Sequence, residues 1–183
     1  MRNDLSKSSL SLAILGLVSL SPLSGYDLRK IFTATPMGHF STSPGAIYPA
    51  LKRLERRGLI KGEVKNRDTL RPRQAFEITT EGLRTLKEML LEPITIDDVK
   101  WNLDGLVLRF AFMGKTLGKR KSVRFLEELV TQTEAHIAAL KDHLDTNKRK
   151  MPVTAIYALE HGIATYRATV QWAHNVIKEI RGG

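Results

Sequence analysis

The 183 residues hold 29 Lys and Arg against 19 Asp and Glu, a formal charge of +10, so an anionic partner is expected. Cysteine is absent, which excludes disulfides and thiolate metal sites. No apolar stretch is long enough to span a bilayer, and the length allows one domain or two small ones, each with a real core.

The first candidate element is the run from Leu10 to Leu20, preceded by Arg2 and Lys7 as in a secretory signal. Its helical spacing (Leu10, Ala13, Ile14, Leu17, Val18) and its lead into a further helix favour a core helix over Ser9 to Leu20 in a cytoplasmic protein. Proline at position 22 stops it. Ser24 then caps a second helix from Gly25 to about Ala34, expected to bury Tyr26, Leu28 or Ile31, and Phe32.

Ser43 with Pro44 marks the start of a third helix, and Gly58 its stop. One edge is apolar (Ile47, Leu51, Leu54). The opposite edge carries Gly45, Lys52 and Arg56, with Tyr48 and Arg53 on the flanks. Pro49 lacks a donor and crowds the preceding turn, so the first turn is either kinked and 3₁₀-like or continuous; the sequence leaves both open. Strands are predicted over Leu59 to Val64 and Gln74 to Ile78, joined by a segment with the turn residues Asn66, Asp68 and Pro72. Between Ser43 and Arg73 nine Lys and Arg face three Asp and Glu, so the positive charge gathers on this helix and ribbon. A helix with one buried edge and a small, basic and aromatic edge suits the DNA major groove, and a ribbon behind it reaches toward phosphates. That combination is a winged helix-turn-helix with a two-stranded wing. Thr80 is expected to cap a fourth helix from Glu81 to about Leu91, and Glu92-Pro93 closes a DNA-binding domain over 1–92.

Residues 93–183 read as a second, helical domain for dimerisation, with a possible effector role. Trp101 to Met113 has two apolar stripes, Leu103, Leu106, Val107 and Phe110 on one and Trp101, Leu108 and Phe112 on the other, so a buried helix is expected. Two long helices follow, with three-four spacing through Val123, Leu126, Val130, Thr133, Ile137, Leu140 and Leu144, and again from Ile156 to Ile180. The short link Lys148 to Pro152 folds them into an antiparallel coiled-coil arm. Phe125, Leu129, Trp172 and Val176 widen its apolar surface, which a second copy would cover; a homodimer is expected. The fold class is therefore mainly α.

At Leu15-Gly16-Leu17, Ser24-Gly25-Tyr26, Ser43 to Ile60, and Arg71-Pro72-Arg73 through Thr80-Glu81-Gly82, the chain resembles the PadR family of bacterial transcriptional regulators. The resemblance covers about residues 10 to 91, and the Ser-Pro-Gly-x-Ile-Tyr-Pro-x-Leu-x-x-Leu run is its most specific part. Ala158 to Ile180, with Gln171-Trp172-Ala173, is similar to the longer C-terminal domain of the virulence-activator type. The resemblance implies a dimeric winged-helix protein, usually a repressor and sometimes an activator. Several members respond to phenolic acids or hydrophobic drugs, a trait too variable to assign a ligand here.

The candidate DNA contacts are Thr42, Ser43 and Gly45 at the helix start, where backbone N–H groups hold phosphate. Tyr48 reads as a base, methyl or phosphate contact, or alternatively as core beside Ile47 and Leu51. Lys52 and Arg53 are the helix donors, and Lys65, Arg67, Arg71 and Arg73 the wing donors. Arg56 and Arg57 are expected to be solvated or to pair with Glu55 or Glu63. Trp101, Phe110, Phe112 and Trp172 are candidates for an apolar pocket suited to a flat aromatic effector, with core packing as the competing reading. His39, His136, His143, His161 and His174 lack metal-pair spacing, and Asp97, Asp98 and Asp104 read as caps and surface charges. No enzyme, metal or cofactor is expected. The competing function is an interaction module that binds protein or nucleic acid without sequence preference.

Overall fold

The computed structural model describes residues 9–39, 43–65 and 73–182. The chain forms two compact units, Met1–Glu92 and Pro93–Gly183.

In the first unit, α1 (Ser9–Leu20) is buried continuously from Ser11 to Val18, wider than the single stripe its spacing suggests. It is the central rod of the unit, touching α3 (Pro44–Arg56), α4 (Thr80–Leu90) and β3 (Arg73–Ile78). A short strand β1 (Leu23–Ser24) precedes α2 (Gly25–Ala34), and β2 (Ile60–Lys65) follows α3. The sheet has three antiparallel strands in the order β1-β3-β2, one more than the expected two-stranded wing. Leu23 pairs with Phe76 and Ser24 with Ala75, so the wing is rooted to the start of α2. A two-residue strand has no periodicity to detect, so the residue pattern does not reveal it.

Ser24 caps α2 as expected, and Asp27 completes a reciprocal box: the Ser24 N–H donates to Asp27 Oδ2 at 3.0 Å while the Asp27 N–H donates to Ser24 Oγ at 3.2 Å. Leu28 and Phe32 are buried, but Tyr26 is 55% exposed, against the expectation that it joins the core. Helix α3 runs unbroken across Pro49. It ends in a Schellman turn, with Gly58 at φ 69°, its N–H on the Glu55 carbonyl at 2.8 Å and the Leu59 N–H on the Leu54 carbonyl at 3.0 Å. Thr79, not Thr80, caps α4, its Oγ1 accepting from the Gly82 N–H at 3.0 Å.

In the second unit the expected single helix from Trp101 divides at Asn102 into α5 (Ile96–Trp101) and α6 (Leu103–Leu117). The division changes which faces are covered: Trp101 is 84% exposed and Val107 is exposed too, whereas Leu106, Leu108, Phe112 and Met113 are buried. Helix α7 (Lys119–Asn147) returns through a 3₁₀ turn at Lys148–Lys150 into α8 (Val153–Gly182). Ile137, Leu144, Ile156 and Ile163 form their common core, flanked by Leu140, Leu159, Tyr166 and Val170. Arg181, at the end of α8, pairs with Glu127 near the start of α7, which fixes the antiparallel sense. Phe125 and Leu129 are buried within the single chain, Phe125 beside Phe110 of α6, so they do not serve a second copy as expected.

Candidate nucleic-acid interface

Helix α3 separates its two edges sharply. Ile47, Ala50, Leu51 and Leu54 are at most 1% exposed, while Gly45, Tyr48, Lys52, Arg53 and Arg56 face solvent. A burial pattern this one-sided holds the helix by its apolar edge and leaves its polar edge for a partner.

The helix start is less open than expected. Pro44 has no N–H. The Gly45 N–H donates to Ser43 Oγ at 3.2 Å, and the Ala46 and Ile47 N–H groups donate to the Ser43 carbonyl at 3.0 and 3.1 Å. These donors are already used, so the backbone over Pro44–Ile47 offers no open phosphate cradle. Thr42 lies outside the described residues, as do Arg67 and Arg71. The backbones of Lys65 and Arg73 pair with each other as the last rung of the β2–β3 ladder, at its open end.

Glu55 ties α3 to the root of the wing. Its Oε1 accepts from the Gly62 N–H at 3.1 Å and from Gln74 Nε2 at 3.3 Å. It is thus engaged with the ribbon and not with Arg56 or Arg57, the partners its sequence position suggests. Arg56 turns back, its Nε donating to the Lys52 carbonyl at 3.3 Å. Glu63 pairs with Lys61 at 2.8 Å, and Glu77 adds a second carboxylate at 3.6 Å. The hydrogen bond and charge of Glu63, then Glu77, raise the Lys61 pKa and neutralise this strand cation locally.

A basic surface that the sequence pattern does not single out lies on α2. Tyr26, Arg29, Lys30, Thr33 and Ala34 line a shallow depression of about 390 Å³ on the exposed side of that helix. The signal is present as a polar and basic series at i, i+3, i+4 and i+7, but placing Tyr26 in the core conceals it.

The four proposed pocket aromatics do not converge. Phe110 meets Trp172 edge-on at 5.6 Å and stacks near Phe125 at 6.4 Å. Phe112 is a buried core residue, and Trp101 stands exposed on α5. Beneath this cluster the Arg109 guanidinium lies over the Phe125 ring at 5.1 Å, a cation–π contact. Further along α7, buried His136 meets the Tyr166 ring edge-on at 4.8 Å, and its pKa is lowered by burial and then by Lys100. Among the described residues no His, Asp or Glu group is arranged to hold a metal, and no helix is long and apolar enough to cross a membrane.

A helix that packs one edge on α1 and α2 and runs by a tight turn into a rooted antiparallel ribbon defines a winged-helix protein. Residues 14–88 match the model of the transcriptional regulator PadR-like family. That match lies within the first unit of the chain, from α1 to α4. Over 93 residues it is 31% identical to the negative transcriptional regulator PadR of Bacillus subtilis strain 168; the match covers 49% of this chain and 51% of that protein. The chain therefore spans about half the length of the curated relative it matches. The crystal structure of the PadR-like transcriptional regulator BC1756 from Bacillus cereus is 26% identical, covering 94% of this chain and 98% of that one with a TM-score of 0.41. Bacillus subtilis PadR in complex with operator DNA is 22% identical, covering 93% and 98% with a TM-score of 0.42. Likeness at that level says nothing about individual side chains.

Proposed function

We propose that this chain is a sequence-specific DNA-binding repressor that acts in the cytoplasm as a homodimer on an inverted-repeat operator. The observation that carries the reading is the division of α3, with Ile47, Leu51 and Leu54 sealed inside and Tyr48, Lys52 and Arg53 outside. Lys52 and Arg53 donate to base edges or phosphates, and Tyr48 adds a hydroxyl beside them. Arg29 and Lys30 on α2, and Lys65, Arg67, Arg71 and Arg73 on the wing, serve neighbouring phosphates. Residues 1–92 are the DNA-binding domain in this reading and residues 93–183 the dimerisation domain. The repressor sense is supported by the negative regulator that matches the chain.

Dimerisation is supported by α8, whose buried residues are Ile156, Ile163, Ala173 and Ile177, while Trp172, Val176 and Ile180 are only half-covered. In a two-fold dimer the recognition helices sit about 34–36 Å apart, one DNA turn. A small aromatic effector would stack on the Phe110–Trp172 pair, the two candidates that meet.

The test is titration of the duplex upstream of the chain's own coding region against a scrambled duplex at fixed salt. A specificity ratio on the order of 10³ or more supports the reading, and a ratio near one overturns it. For the effector, tryptophan emission of a Trp101→Phe variant, which leaves Trp172 as the reporter, is followed during titration with hydroxylated aromatic acids. An unchanged spectrum at saturation rejects the stacking site.

A further inference from the structure

Gly25 is the first residue of α2 and is buried, yet its φ is not positive, so its backbone does not call for glycine. Alanine is the better helix former at such a position. What requires glycine is a neighbour. A Cβ on residue 25 would lie 2.6 Å from Tyr48 Cε1, 3.1 Å from Tyr48 Cζ and 3.3 Å from Leu51 Cδ1. The Tyr48 ring rests directly on the start of α2 while 48% of the residue remains exposed.

That resting place is rigid. Ser24 is held by the reciprocal box with Asp27, its Oγ 2.6 Å from Asp27 Oδ2, and its backbone is paired in the sheet opposite Ala75 of the wing strand. The wing root, the cap of α2 and the ring of Tyr48 therefore form one continuous stack. We propose that Gly25 is a positioning residue: it seats Tyr48 against α2 so that the hydroxyl is presented to DNA at a fixed place beside Lys52. This rests on the reading of α3 as the DNA-contacting helix. The chemical target is a neutral hydrogen-bond acceptor or phosphate oxygen on the duplex, met by a donor that carries no charge.

The physical consequence is specific. A methyl group at position 25 strikes the far part of the exposed Tyr48 side chain, which can swing away, and asks buried Leu51 Cδ1 at 3.3 Å to give only a few tenths of an ångström, so Gly25→Ala displaces Tyr48 without opening the core. Because tyrosine releases no counterion, its displacement leaves the salt dependence of binding unchanged, unlike removal of a cation.

The test is a double-mutant cycle on the full chain with the operator fragment retained by the wild type, using Gly25→Ala, Tyr48→Ala and both together. Thermal midpoints are measured in parallel, and Lys52→Glu serves as a reference. Gly25→Ala is expected to weaken binding about tenfold, the size of one well-made hydrogen bond, with the midpoint kept or raised and the salt slope unchanged. In the Tyr48→Ala background the same change is expected to do nothing to affinity. Full wild-type affinity in Gly25→Ala, or an equal loss with and without Tyr48, overturns the positioning role. A midpoint that falls with affinity in both backgrounds also overturns it, since glycine would then serve packing alone. If Lys52→Glu is harmless as well, or the wild type shows no operator preference, the DNA reading itself fails, a result separate from the failure of Gly25 alone.

Discussion

Helices α3 and α8 solve opposite problems. In 13 residues α3 seals Ile47, Ala50, Leu51 and Leu54 almost completely and offers an unbroken polar edge. Over 30 residues α8 buries Ile156, Ile163, Ala173 and Ile177 and leaves Trp172, Val176 and Ile180 half-covered. The first helix is finished within its own unit and presents charge; the second is unfinished and presents apolar surface. Exposed cations with a sealed apolar back suit a polyanion, whereas a half-covered apolar flank suits more protein.

The largest expected effect breaks the finished side. Leu51→Ala or Leu54→Ala removes a side chain at most 1% exposed and should cost about 2–5 kcal/mol, read as an earlier denaturation of the first unit with loss of DNA binding. Lys52→Glu should separate the two properties: stability stays within about 0.5 kcal/mol, while the slope of log affinity against log salt drops by about one as a phosphate goes unneutralised. An unchanged slope would remove Lys52 from the interface.

On the unfinished side, Val176→Glu should turn the proposed dimer into a monomer, with the far-ultraviolet helical signal retained and the sedimentation coefficient reduced. A species of unchanged mass would place the subunit contact elsewhere. A smaller loss is expected from Glu55→Gln. It keeps the shape but weakens the acceptor for the Gly62 N–H and Gln74, so hydrogen exchange at the wing root should quicken while the core of α1 stays protected.

The smallest effect concerns pH. Burial lowers the His136 pKa below its ordinary 6.5, so the unfolded chain takes up a proton more readily than the folded one. Stability of the second unit should therefore be constant above about pH 6.5, fall as pH drops through that value, and level off once the folded histidine also protonates. His136→Gln should flatten this part of the pH profile in denaturant titrations; an identical profile in the variant would assign the dependence to other groups.

Much of this architecture is legible in the residues. The bounds of α1, the Ser24 cap, the Ser43-Pro44 start and the Gly58 stop of α3 are local events, each set by one or two residues. The arm of α7 and α8 is legible because its spacing repeats over many turns. The misses share another cause. Treating α2 as a periodic pattern puts Tyr26 inside, although a sheet strand and α3 decide which of its sides is covered. Trp101 falls in an expected buried helix because apolar residues run through Asn102, where the backbone in fact turns at φ −145° and ψ 35°.

By itself, the order of residues determined where α1, α2 and α3 begin and end, where positive charge gathers and which edge of α3 is apolar, since caps, proline, glycine and periodicity act over a few residues. The tertiary structure alone decided that β1 roots the wing to α2, that Phe110 of α6 packs on Phe125, that Glu55 serves the ribbon and that Tyr48 lies on Gly25. Each of those contacts joins segments distant in sequence, and its geometry depends on the packing of whole elements, which no local pattern encodes.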